Sequence, residues 1–117
     1  MNQKQIDRRI EAIKKELGEL GRLHPGSVSK QYNICGTPGC ACKKPKNPQK
    51  HGPYYNLSYT SGGRHSTRFV RPDQLDGIER KIANHRGLRD LIEEWVALSV
   101  EQERQERATQ KKAHGKR

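Results

Sequence analysis

Acidic residues are missing from the middle of this chain. Between Leu20 and Pro72 there is no Asp or Glu, while the same 53 positions hold nine basic residues. Apolar material is scarce too: 30% of the 117 residues are hydrophobic and 5% aromatic, with one Trp, one Phe and one Met. Such a supply fits one small domain and leaves its core thin enough to need a staple. No apolar run approaches the ~20 residues of a membrane-spanning helix. The opening MNQKQIDRRIEAIKKELGEL is charged throughout and lacks the apolar segment of a secretion signal. A soluble, cytoplasmic protein is expected. The constellations of an enzyme are also missing. There is no carboxylate cluster for two-metal chemistry, no Cys-x-x-Cys redox pair and no phosphate-cradling Gly-Lys loop. A non-enzymatic role follows.

What is present in excess is positive charge. The formal net charge is +11, a balance that favours a polyanion such as DNA or RNA. The acid-free stretch carries Arg22, Lys30, Lys43, Lys44, Lys46, Lys50, Arg64, Arg68 and Arg71. The lysines from Lys43 to Lys50 stand on a Pro-punctuated loop suited to following a phosphate backbone.

Periodicity gives an α+β architecture. Ile6, Ile10, Ile13, Leu17 and Leu20 recur at spacings of 4, 3, 4 and 3, one apolar stripe of a helix over residues 2–23. Asn2 and Gln5 suit a capping box, and Gly18, Gly21 and His24-Pro25-Gly26 end the helix. Residues 53–70 predict a β-hairpin, PYYNLSYT and RHSTRFV around Ser61-Gly62-Gly63. A three-residue loop pairs Tyr59 with His65, Leu57 with Thr67 and Tyr55 with Phe69; a two-residue loop pairs Leu57 with Arg68 instead. The first gathers the apolar side chains on one face and is preferred. Pro72 and Asp73 open a helix over 72–86 with Leu75, Ile78 and Ile82 on its apolar face. After Gly87 the stripe resumes, shifted in phase, as Leu88, Leu91, Ile92, Trp95 and Leu98, which predicts a kink or a short break before a helix over 88–104. Residues 105–117 predict a basic, disordered tail. The result is a single domain over 1–100: an N-terminal helix and a long, kinked C-terminal helical region packed on the hairpin, with a metal-binding turn at its open end.

That turn is the most specific feature. The chain has three cysteines, an odd number, and two of them are separated by one residue, which argues against a disulfide framework. Cys35-Gly36-Thr37-Pro38-Gly39-Cys40-Ala41-Cys42 reverses tightly enough for three thiolates to face one point. Zinc takes thiolate and imidazole ligands in a tetrahedron. His51, just before the hairpin, is the preferred fourth ligand; His24, His65 and His85 are the alternatives. The plainer accounts are a loop histidine at a Gly-Pro turn and a set of buried or redox-active thiols. With no carboxylate nearby to act as a base, a closed structural zinc site is expected rather than a catalytic one.

Taken together, Ile34 to Cys42, His51-Gly52-Pro53-Tyr54-Tyr55-Asn56-Leu57-Ser58-Tyr59 and Arg68-Phe69-Val70 resemble a family of small bacterial and phage proteins of unknown function, often encoded beside mobile elements. The resemblance covers roughly residues 28–98. It implies a zinc-binding turn, a hairpin and flanking helices, and no activity. The expected function is a small, zinc-stabilised nucleic-acid-binding protein using Lys43, Lys44, Lys46, Lys50, Arg64, Arg68 and Arg71. Tyr54 is the stacking candidate, while Tyr55, Leu57, Tyr59 and Phe69 are assigned to the hairpin's core face. The alternative is a protein-interaction or assembly module, its amphipathic helices pairing with another protein or a second copy of the chain.

Overall fold

A computed structural model describes residues 1–115. In chain order it contains α1 (Gln3–Glu19), β1 (Ser27–Asn33), a 3-10 turn (Ala41–Lys43), β2 (His51–Ser61), β3 (Arg64–Val70), a second 3-10 turn (Pro72–Gln74) and α2 (Leu75–Gly115). The fold is α+β. Within it the chain forms two compact units, Leu23–Ala83 and Met1–Arg22 with Asn84 onward.

The unit Leu23–Ala83 is an antiparallel sheet of order β1-β2-β3 with the start of α2 packed on it. The turn between β2 and β3 has two residues, Gly62 and Gly63, with φ of 58° and 78°. Positive φ at both central positions matches the strands' right-handed twist and is accessible mainly to glycine. Ser61 pairs with Arg64, Leu57 with Arg68 and Tyr55 with Val70. The three-residue loop preferred from the sequence is therefore corrected: turn geometry outweighs apolar segregation. The slip moves Phe69 off the core face to stand opposite Asn56, 53% exposed, and brings Val70 into the core. Leu57, Val70, Ile78 and Ile82 form that core, with Val28, Tyr55, Tyr59 and Leu75 packed against it. His24 seals one corner. Its ring meets Tyr59 edge-on at 4.8 Å and its backbone N–H donates to the Lys81 carbonyl at 3.1 Å.

β1 was not expected. Its sequence SVSKQYN offers only Val28 to the core, opposite Leu57, and its other residues are exposed. It is an edge strand specified by pairing rather than by its own pattern.

In the other unit, Ile6, Ile10 and Ile13 of α1 are buried. The capping box is present: Gln5 N–H donates to Asn2 Oδ1 at 2.8 Å and Asn2 N–H to Gln5 Oε1 at 2.9 Å. α1 and residues 84–115 of α2 run antiparallel. Arg9 makes a two-pronged contact with Glu94 at 2.6 and 2.8 Å, and Gln3 Nε2 donates to Gln105 Oε1 at 3.0 Å. The Glu94 partner holds the Arg9 guanidinium above its usual range, and Arg9 holds the Glu94 carboxyl below its own.

α2 is continuous from Leu75 to Gly115, so the helix is not broken at Gly87. The phase shift in its stripe marks a change of packing partner: Ile78 and Ile82 pack on the sheet, whereas half-buried Leu88, Leu91, Trp95 and Leu98 belong to the helical unit. A Cβ on Gly87 would lie 4.0 Å from Leu20 Cδ2, so the glycine stands beside the end of α1 without breaking the helix. The disordered tail expected from residue 105 is likewise corrected, because α2 continues to Gly115; residues 116–117 lie outside the described residues. Strong helix formers and the Glu101–Arg104 pair support the extension.

The register makes a direct prediction. Leu57→Ala should cost about 2–5 kcal/mol of stability in urea unfolding, as a fully buried leucine does. Phe69→Ala should stay within about 1 kcal/mol, as an exposed site does. A large loss for Phe69→Ala would contradict the two-residue turn.

Candidate metal centre

Three local features bring the cluster together. First, Asn33 at the end of β1 pairs with His51 at the start of β2, after a shift in register past Gln31. Cys35, two residues beyond Asn33, is thereby carried to the imidazole. Second, the segment after it reverses at Thr37, whose carbonyl accepts from Cys40 N–H at 3.4 Å. Third, Cys40 opens the 3-10 turn Ala41–Lys43, closed by Lys43 N–H donating to the Cys40 carbonyl at 3.0 Å, and this winds Cys42 inward. Beside His51, a Cβ on Gly52 would sit 2.8 Å from the Gln31 carbonyl oxygen, so only glycine permits β1 and β2 to approach there.

One ligand atom from each of Cys35, Cys40, Cys42 and His51 lies within 4.8 Å of all the others, the one such cluster of metal-binding side chains among the described residues. Cys35 Sγ is 3.6 Å from Cys42 Sγ, Cys40 Sγ is 3.3 Å from His51 Nε2, and Cys35 N–H donates to Cys42 Sγ at 3.4 Å. Cys42 is buried and the other three are half-buried. A bond from the Thr37 backbone, with help from Cys40 and His51, lowers the Cys35 thiol to about 6. The Cys42 backbone lowers the Cys40 thiol, burial raises that of Cys42, and the neighbouring thiols of Cys35 and Cys40 raise the His51 imidazole. Three thiols and an imidazole converging this closely are compatible with a metal ion. His24 and His65 turn elsewhere, toward the Pro25 carbonyl and Thr60, and His85 is outside the cluster.

The other candidate residues fall into separate groups. Lys43, Lys44, Lys46 and Lys50 are exposed on the loop between Cys42 and His51. Tyr54, 37% exposed, lies on the outer face of the sheet with Gln31, Asn56, Thr67 and Phe69. Arg64 and Arg68 lie opposite Ser61 and Leu57, so they belong to the helix-covered face and do not continue a track past Tyr54. Arg71 sits 3.5 Å from Asp73. The residue missed from the sequence is Phe69, whose exposure follows from the two-residue register.

Comparison with protein families matches residues 3–80 to a domain of unknown function, DUF6788. The chain belongs to this family. The DUF6788 match takes in α1, the whole sheet and the entire cysteine–histidine cluster. No curated protein and no solved structure matches the chain. Among the described residues no helix is long and apolar enough to cross a membrane.

If the four side chains hold one ion, elemental analysis after gel filtration should give one metal per chain, and Cys42→Ser should abolish it. In metal-free protein at pH 7, iodoacetamide should modify Cys35 first and Cys42 last, since Cys35 is held low and Cys42 is buried and raised. Metal loading should protect all three; equal rates with and without metal would count against the site.

Proposed function

We propose that this chain is a small nucleic-acid-binding protein whose basic loop and sheet are held in place by a structural zinc ion. The observation that carries this reading is the acid-free stretch from Leu20 to Pro72, nine basic residues with no acid, which contains every ligand of the metal cluster. Zinc suits the donor set. Thiolate ligands at about 2.3 Å from a tetrahedral centre stand about 3.8 Å apart, and Cys35 and Cys42 Sγ are 3.6 Å apart. Four protein ligands leave no position for a reacting water, so the ion would serve as a staple whose binding contributes to folding. Cys42 and His51 would tie down both ends of the eight-residue loop Lys43–Lys50 with its four lysines. The loop would supply phosphate contacts, and Tyr54 with Phe69 on the open sheet face would supply stacking surfaces for unpaired bases.

The two contributions separate by salt dependence. Replacing Lys43, Lys44, Lys46 and Lys50 by Ala should flatten the slope of log K against log salt for single-stranded DNA by up to about 3, from ~0.7 per phosphate contact. Tyr54→Ala and Phe69→Ala should each weaken binding by about 1–3 kcal/mol with the slope unchanged. Chelation should abolish the difference between wild type and the lysine variant. Absence of binding to DNA or RNA at low salt, with the metal loaded, would end this reading.

A further inference from the structure

The helical unit leaves part of its apolar surface uncovered. Its buried residues are Ile6, Ile10 and Ile13 of α1, and two antiparallel helices offer each other only one stripe apiece. On α2 a second stripe remains: Ile92 is 44% exposed, Val96 57% and Val100 63%, at four-residue spacing on one side of the helix. With Trp95, Ser99 and Glu103 these residues line an open groove of about 610 Å³. The Lys14 ammonium lies 5.5 Å from the Trp95 ring centroid.

The charges beside the stripe identify its occupant. Arg89 lies seven residues before Val96 and Glu103 seven after it, about two helical turns each way and therefore on the same side as Val96. Both are exposed, and among the described residues Arg89 makes no ion pair within the chain, while Glu103 has only a loose contact with Arg107 at 3.9 Å. A second α2 laid antiparallel with its Val96 against the first brings each Arg89 level with the other copy's Glu103, twice by symmetry. A parallel arrangement in the same register sets Arg89 against Arg89 and Glu103 against Glu103, which is repulsive.

We propose that this face is a homodimer interface in which two copies pair α2 antiparallel about Val96, closing the two helix pairs into a four-helix arrangement. The partner is a second copy because antiparallel pairing about Val96 keeps the stripe apolar at its centre and sets Arg89 beside the other copy's Glu103 at both ends. A two-fold interface requires such self-complementarity.

Sedimentation equilibrium of the metal-loaded full chain at tens of micromolar should give twice the 13.4 kDa chain mass. Val96→Glu should give the chain mass with unchanged helix content by circular dichroism. Arg89→Glu and Glu103→Arg alone should each shift the equilibrium toward monomer, and the two together should restore the dimer. A wild-type monomer would overturn the proposal, as would a dimer indifferent to Val96→Glu or a double variant no better than the single ones. Capture of a different protein by a chain that is monomeric alone would also overturn it. None of these outcomes depends on nucleic-acid binding.

Discussion

The convergence of Cys35, Cys40, Cys42 and His51 is the constraint on which the sheet unit rests. Four residues, Leu57, Val70, Ile78 and Ile82, form the buried core of that unit. The segment from Ile34 to Lys50 adds just Cys42 to the buried set. Its own backbone bonds are few: the turn at Thr37, the 3-10 turn and Gln49 N–H on the Ala41 carbonyl at 3.0 Å. Apolar burial cannot order such a segment, because it has almost nothing apolar to bury. A metal ion held by the four side chains would, by fixing four points of the chain at one centre. The Asn33–His51 pairing then links the centre to the sheet, so a loss at either place is felt at the other.

The same geometry bears on why lysines crowd the site. Three thiolates around a divalent ion leave a net charge of −1, and a cationic neighbour would stabilise that centre whatever the protein binds. Electrostatic support for the ligands is therefore an alternative account of Lys43, Lys44, Lys46 and Lys50. One lysine would meet it. Four lysines, all exposed on a loop of eight residues, leave about three positive charges beyond what the centre needs. Under the proposed reading, that excess is what a polyanion would meet.

How much could be read from the sequence depended on whether the signal was local. The α1 stripe, the Asn2–Gln5 box, the Gly62-Gly63 turn and the cysteine–histidine set are each specified within a short stretch, and each is where the sequence places it. β1 was illegible because Val28 is its one inward apolar residue; it becomes a strand by pairing with β2. The register of the hairpin turned on two competing preferences. Gathering Tyr55, Leu57, Tyr59 and Phe69 on one face argued for one loop, and two consecutive glycines able to take positive φ argued for the other. The second prevailed because Val70 supplies the buried partner that Phe69 had been assigned to be. At Gly87 the shifted stripe accompanies a change of neighbour along one continuous helix, which periodicity cannot distinguish from a break.

The register also redistributes the functional weight among the basic residues. On β3, an edge strand, Arg64 and Arg68 occupy the face shared with the core, and Arg68 lines a small pocket with Gln74, Ile78 and Lys81. Charged side chains on an edge strand discourage pairing with other chains, and long arginine stems can cover apolar surface beside a helix. The outer face has the opposite character: Ser27, Ser29, Gln31, Tyr54, Asn56, Ser58, Thr60, His65, Thr67 and Phe69 include no lysine, arginine or acid, and the Tyr54 and Phe69 rings are its largest exposed groups. Under the proposed reading, two exposed rings on this face beside a loop of lysines would divide recognition into two chemistries: charge on the loop for the backbone, and ring surface on the sheet for the bases.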